Sequence, residues 1–215
     1  IGGNNTQAVL KKAEYAKYMG ADALLMVTPY YNKGTPDGIV KHYVSIVKEC
    51  NLPIILYNVP SRTGVNLGIN LLCRLKEHPN IVGIKEASGD MSYAMKVAKF
   101  VGPEFAMYSG NDDITLPILA AGGSGVISVY ANVMPKMCHE IVMDYLNGDQ
   151  AQALANTLKY LNLMNDLFIE VNPIPVKTAC GLMGLCAEEM RLPLCEMEDA
   201  NKAKLLAAMK EKGLL

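Results

Sequence analysis

The sequence predicts an α/β fold of the (β/α) barrel type, with about five strand–helix units followed by a purely helical region. Three observations predict it. Apolar runs of strand length alternate regularly with segments of helical period as far as Val129. Those runs are almost continuously apolar, as parallel strands covered on both faces are. Polar residues gather just past the carboxyl end of each run, at Tyr30-Tyr31, Tyr57 and Arg62, Lys85, Ser109-Gly110-Asn111-Asp112 and Ser128. Barrel sites are built from such loops, whereas an open doubly wound sheet binds near one switch point. The even spread favours the barrel.

Taken in order, Thr6 is placed to cap a first helix that runs through Leu10, Ala13 and Ala16 and ends at Gly20. Residues 23–27 follow as a strand and Thr28-Pro29-Tyr30-Tyr31 as its loop. A helix over 36–50 leads to a strand over 54–59, after which Pro60-Ser61-Arg62-Thr63-Gly64 reads as a loop. The helix of Leu71, Leu72 and Leu75 precedes the strand 81–87. Residues 91–100 read as helix, 105–108 as strand, 114–121 as helix and 125–129 as the last clear strand. Gly122-Gly123-Ser124-Gly125 precedes a strand instead of opening a helix, so it reads as a turn and not a phosphate loop. Asp112 and Asp113 most simply begin the following helix. Beyond Val129 only helices are predicted, over 134–147, 150–169, 174–182 and 198–212, with Asn172-Pro173-Ile174-Pro175 as a rigid bend that admits an unusual proline isomer. The chain thus divides into a partial barrel over 1–133 and the remaining barrel helices with a C-terminal helical region over 134–215. Five units cannot close eight strands, so either the sheet is open or three strands precede Ile1 in a parent protein.

Composition narrows the function. With 215 residues, 51% of them hydrophobic, the chain can bury one large core. A net charge of -1 supplies no field to attract nucleic acid or an anionic membrane surface. No apolar run approaches the roughly 18 residues that span a bilayer, and no signal peptide pattern is present. Cys50, Cys73, Cys138, Cys180, Cys186 and Cys195 form no CxxC pair and read as small core hydrophobes in a reducing compartment, the cytoplasm. His42, His78 and His139 are far apart, lack ligand spacing and read as helix-surface residues, so neither a metal nor another cofactor is expected.

The chemistry points to Lys85, set in the apolar run Ile81-Val82-Gly83-Ile84-Lys85-Glu86-Ala87. Desolvation disfavours an ammonium there, and a neutral amine facing a carbonyl forms a Schiff base. The bland alternative is a strand-end lysine that snorkels to water or pairs with Glu86. Strand parity puts Tyr57 with Ile55 and Val59, and Lys85 with Gly83 and Ala87. If both faces point inward, a phenol stands beside the lysine and can relay protons; taken singly, Tyr57 reads as a buried aromatic. Arg62 suits a bidentate clamp for a carboxylate, or is an ordinary loop arginine.

Five ordered motifs resemble those of the 4-hydroxy-tetrahydrodipicolinate synthase family, within the pyruvate-dependent Schiff-base aldolases and lyases. They are Val27-Thr28-Pro29-Tyr30-Tyr31-Asn32, Leu56 to Gly64, Gly83-Ile84-Lys85-Glu86-Ala87, Gly125-Val126-Ile127-Ser128 and Asn172-Pro173-Ile174-Pro175-Val176-Lys177. The resemblance implies a (β/α)8 barrel with a C-terminal helical region, and condensation of pyruvate with aspartate semialdehyde on the way to diaminopimelate and lysine. It implies that Lys85 forms the pyruvate imine, Tyr57 relays protons and Arg62 holds the carboxylate of the semialdehyde. It implies that Tyr31 serves a neighbouring subunit's relay in a dimer or tetramer, that the Ile127 carbonyl faces the site and that Gly110 lines the substrate pocket. Asn4 and Tyr30 match the pocket of lysine-inhibited members, but Gln7-Ala8 stands where those carry an acidic residue, so the resemblance leaves feedback by lysine open. The family's Gly-Thr-Thr-Gly-Glu motif would lie before Ile1, which implies little activity for residues 1–215 alone. Two other readings stand beside this one: a sialic acid or keto-deoxy-sugar acid lyase, and a non-catalytic remnant that assembles or regulates.

Overall fold

The computed structural model describes residues 1–215. Five strands form one parallel sheet: β1 (Leu24–Val27), β2 (Ile54–Asn58), β3 (Ile81–Glu86), β4 (Ala106–Ser109) and β5 (Gly125–Val126). Each strand pairs with the next in chain order. A doubly wound sheet reverses its order at a switch point, and none exists here, so the winding is that of a barrel.

The helices between strands are α1 (Thr6–Tyr18), α2 (Pro36–Cys50), α3 (Pro60–Thr63), α4 (Ile69–Lys76), α5 (Met91–Val97) and α6 (Thr115–Ala120). Helix α2 begins as its sequence dictates: Thr35 accepts from the Gly38 amide, Pro36 supplies a preset first turn, and Asn51 ends it in the left-handed region. One cap is not where the sequence put it. Asn5, not Thr6, accepts from the Ala8 amide at 3.0 Å, because the Thr6 hydroxyl lies 2.9 Å from His42 Nδ1. Helix α3 also replaces an expected loop. Pro60 at its first position and Gly64 in the left-handed region after it (φ 66°) suffice for a single turn.

The chain forms two compact units. The first comprises residues 1–110 and 117–127, the second residues 111–116 and 128–215. The core of the first lies between one face of the sheet and its helices: Met26, Leu56, Ile84 and Met107 meet Val9, Tyr43, Ile46, Leu72 and Leu75. The other sheet face, with Leu25, Val27, Ile55, Tyr57 and Lys85, is only half-buried. Expectation of strands covered on both faces therefore holds for the helix side alone.

The second unit is helical, with α7 (Pro135–Leu146), α8 (Gln150–Asp166), α9 (Ile174–Leu182) and α10 (Asp199–Glu211). Tyr130 packs on Tyr160 with ring centroids 6.1 Å apart, and Leu163, Leu167, Leu205 and Met209 are buried. The Asn172–Pro173 bond is cis. Asp112 and Asp113 stand just before α6 and do not begin it, and the Asp112 carboxylate turns elsewhere. Its Oδ2 accepts from the Val129 and Tyr130 amides at 3.0 Å each and so fixes the turn after the last strand.

Two expectations about single residues fail. Cys73, Cys186 and Cys195 are exposed and not core residues, because the helix faces and loop that carry them turn outward, though all six cysteines are free thiols. His42 is 5% exposed, not a surface residue, since α2 turns it toward α1. Its ring stands edge-on to Tyr43, its Nε2 has no partner, and burial pushes its pKa below the ordinary value of 6.5. A depressed histidine pKa means that the unfolded chain binds the proton more readily. The native preference is complete above pH 6.5 and is lost as pH falls through the lowered native pKa. The melting temperature should therefore fall between pH 7.5 and 5.5, and more steeply than in His42→Gln; equal slopes in thermal melts would contradict this.

Candidate active site

The site is built on the half-buried sheet face by a register shift. Ile54 pairs with Ile81, but Ile55 pairs with Gly83, so β3 carries one extra residue at Val82. Without that bulge Tyr57 would oppose Ile84 and Lys85 would turn toward the helices. With it, Tyr57 opposes Lys85. Gly83 makes the bulge compatible with the next strand: a Cβ there would stand 2.6 Å from the Ala106 carbonyl oxygen. On the far side Lys85 is in register with Tyr108. Three side chains, Tyr57, Lys85 and Tyr108, thus share one row across β2, β3 and β4.

Lys85 Nζ lies 4.4 Å from the centroid of the Tyr57 ring. That is within cation–π range, so the pair singled out by strand parity is a contact. Arg62, on α3, enters the same neighbourhood. With Tyr57, Val59, Thr63, Tyr30, Val27, Leu25 and Ile1 it lines a cleft of about 520 Å³. Burial pushes the Tyr57 phenol above its usual pKa, and the positive charge of Arg62 partly offsets that. A protonated phenol, a primary amine and a guanidinium therefore share one edge of the sheet. Such a set can add an amine to a carbonyl, move the protons that step requires and hold a carboxylate.

The remaining expected residues are placed less closely. Gly110 sits directly after β4, and its amide donates to the Glu86 carbonyl at 2.7 Å. A Cβ there would come within 2.3 Å of the Ala87 methyl, so close packing already demands glycine. Ile127 follows β5 with its amide on the Ser109 carbonyl. Tyr31 is 88% exposed and holds a left-handed backbone (φ 68°), which is costly for an aromatic residue. Its neighbour Tyr30 lines the cleft and Tyr31 does not. The Asn4 carbonyl accepts from Asn32 Nδ2 at 3.1 Å, which ties the N-terminal loop to the Tyr30–Tyr31 loop. No three histidine, cysteine, aspartate or glutamate side chains come together to hold a metal ion.

Comparison with known proteins assigns the family. The model of the dihydrodipicolinate synthetase family matches residues 1–212. The chain belongs to that family. A 4-hydroxy-tetrahydrodipicolinate synthase of Clostridium perfringens is 49% identical over 214 residues, covering all of this chain and 74% of the relative. One from Geobacter sulfurreducens is equally similar and equally covered. Among solved structures, dihydrodipicolinate synthase from Thermotoga maritima superposes with a TM-score of 0.96 at 42% identity, covering 100% of this chain and 74% of that one. The Aquifex aeolicus enzyme gives 0.97 at 42%, covering 99% and 73%.

Sequence reasoning overlooked Tyr108, although its parity in the run Phe105 to Tyr108 could have placed it beside Lys85. It also overlooked Glu86 except as a partner for that lysine. The Glu86 carboxylate instead accepts from Asn58 Nδ2 at 2.8 Å and from the Ser88 amide at 2.6 Å.

Proposed function

We propose that this chain carries the Schiff-base site of a lyase that condenses pyruvate with L-aspartate 4-semialdehyde to give 4-hydroxy-tetrahydrodipicolinate. One observation carries the reading: the amine of Lys85 lies against the ring of Tyr57, which lines a cleft together with Arg62. Lys85 Nζ adds to the pyruvate ketone, and the carbinolamine loses water to form the imine. Loss of a methyl proton gives the enamine, which attacks the aldehyde carbon of the second substrate and forms the new carbon–carbon bond. The amine of that substrate then displaces Lys85 from the imine carbon and closes the ring. Tyr57 relays protons at the carbinolamine and enamine steps, and Arg62 pairs with the carboxylate of the semialdehyde. The same reading gives Gly110 a place on the substrate pocket and turns the Ile127 carbonyl toward the site.

The further assignments belong to the same reading. Tyr31, exposed and held in a costly conformation, is presented to a neighbouring subunit of a dimer or tetramer. One solved relative is described as the first monomeric variant of the enzyme, which fits assembly as the usual state. Asn4 and Tyr30 border a regulatory pocket that lacks an acidic residue. The enzyme works in the cytoplasm, in keeping with free thiols and with no helix long and apolar enough to cross a membrane. Residues 1–133 form the barrel part and 134–215 the helical part.

Substrate choice tests the proposal. The natural full-length protein should prefer pyruvate plus semialdehyde over sialic acid or keto-deoxy-sugar acids by about 10²-fold or more in kcat/KM. The opposite preference would refute it.

A further inference from the structure

Behind the row that carries Lys85, on the helix side of the sheet, lies a buried polar network that the chemistry above does not use. Glu86 and Asn58 are register partners one step beyond Lys85 and Tyr57. Glu86 is 2% exposed and Asn58 is fully buried. Asn58 uses every one of its amide groups. Its Nδ2 donates to Glu86 Oε2 at 2.8 Å and to Asn66 Oδ1 at 2.9 Å, and its Oδ1 accepts from the Leu67 amide at 3.0 Å. Glu86 Oε1 accepts from the Ser88 amide at 2.6 Å. The Tyr93 hydroxyl extends the network by donating to the Leu67 carbonyl. Burial pushes the Glu86 carboxyl above its ordinary pKa, while its bonds from Ser88 and Asn58 pull it back.

A buried carboxylate is a costly way to fill a core position, so what it holds matters. Asn58 and Asn66-Leu67 bracket the segment 59–65, which contains α3 and therefore Arg62. Glu86 joins that bracket to the strand that bears Lys85. We propose that Glu86 is a positioning residue: through Asn58 it clamps the Arg62 segment to β3 and so sets where the second substrate's carboxylate is held relative to Lys85. The inference rests on the functional reading above, in which Arg62 takes that carboxylate.

The geometry dictates the informative variant. Both carboxylate oxygens face donors. In Glu86→Gln the new amide points its hydrogens either at Asn58 Nδ2, which cannot accept, or toward Ser88, where the hydroxyl can accept but the amide N–H loses its acceptor. Asn58 cannot turn over to relieve this, because its Oδ1 is committed to Leu67 and its Nδ2 to Asn66.

The test compares wild type and Glu86→Gln in the natural full-length protein. Borohydride trapping of pyruvate on Lys85 should persist, and the KM for pyruvate should stay within about twofold. The KM for aspartate semialdehyde should rise about 10-fold or more, the scale of one buried polar group left unsatisfied. A lowered melting temperature with both KM values unchanged would make the network merely structural and overturn the proposal. Loss of trapping would overturn it too, since the clamp would then act on Lys85 and not on Arg62. If Glu86→Gln does not fold, Asn66→Ala decides, because it removes an exposed acceptor of the same clamp. It should raise the semialdehyde KM about threefold, and an unchanged value would sink the proposal. Absence of trapping in the wild type would refute the Schiff-base reading itself, a result distinct from all of these.

Discussion

Replacing Lys85 with alanine is expected to lower kcat by about 10³-fold or more, the scale of losing a covalent nucleophile. The fold should survive. Lys85 is half-buried, and its contact with the Tyr57 ring contributes on the order of 1 kcal/mol. Lys85→Arg sharpens the result, because it keeps a cation over the ring while removing the primary amine that forms the imine there. Both variants should melt near the wild type and both should fail to turn over. Activity of Lys85→Arg within tenfold of the wild type would show that charge at this position, not nucleophilicity, is what matters.

Tyr57→Phe should lower kcat by roughly 10²–10³-fold, the range for removing a positioned acid–base group, yet leave imine formation detectable. The substitution preserves the ring against Lys85 and deletes only the hydroxyl. Burial raises the pKa of that phenol despite Arg62, so at neutral pH it is present as the protonated donor. Rates should therefore fall without a new requirement for acidic or alkaline pH. A kcat within about threefold of the wild type would transfer the proton relay to another group, with Tyr108 the first to try because it flanks Lys85 on the other side.

Why the site was partly legible in the sequence follows from what each residue depends on. The strand runs and their order depend on local apolar pattern, and all five strands appear in that order, though the last, expected over 125–129, is cut to Gly125–Val126. Lys85 and Tyr57 could be paired by parity because each strand alternates on its own. Their meeting across strands depends on the bulge at Val82, and only Gly83 hints at it, as a glycine inside a strand often does. Residues whose role is set by distant contacts were not legible. His42 looks like a helix-surface residue until α1 covers it, and Asp112 looks like the start of a helix until the Val129–Tyr130 turn reaches its carboxylate. Glu86 looked like a partner for Lys85 because the two are adjacent in sequence. Adjacency in a strand sends side chains to opposite faces, and there Glu86 found Asn58 and Ser88. The role of Tyr31 toward a neighbouring subunit rests on its motif, and its exposed, left-handed conformation is visible only in the fold.

The central claim is that Lys85 is the amine that bonds to pyruvate. Reduction of the natural full-length protein with borohydride in the presence of pyruvate, followed by intact mass and peptide mapping, tests it most directly. One reduced pyruvate per chain on the peptide containing Lys85 is the predicted result. No adduct, or an adduct on any other lysine, would contradict it.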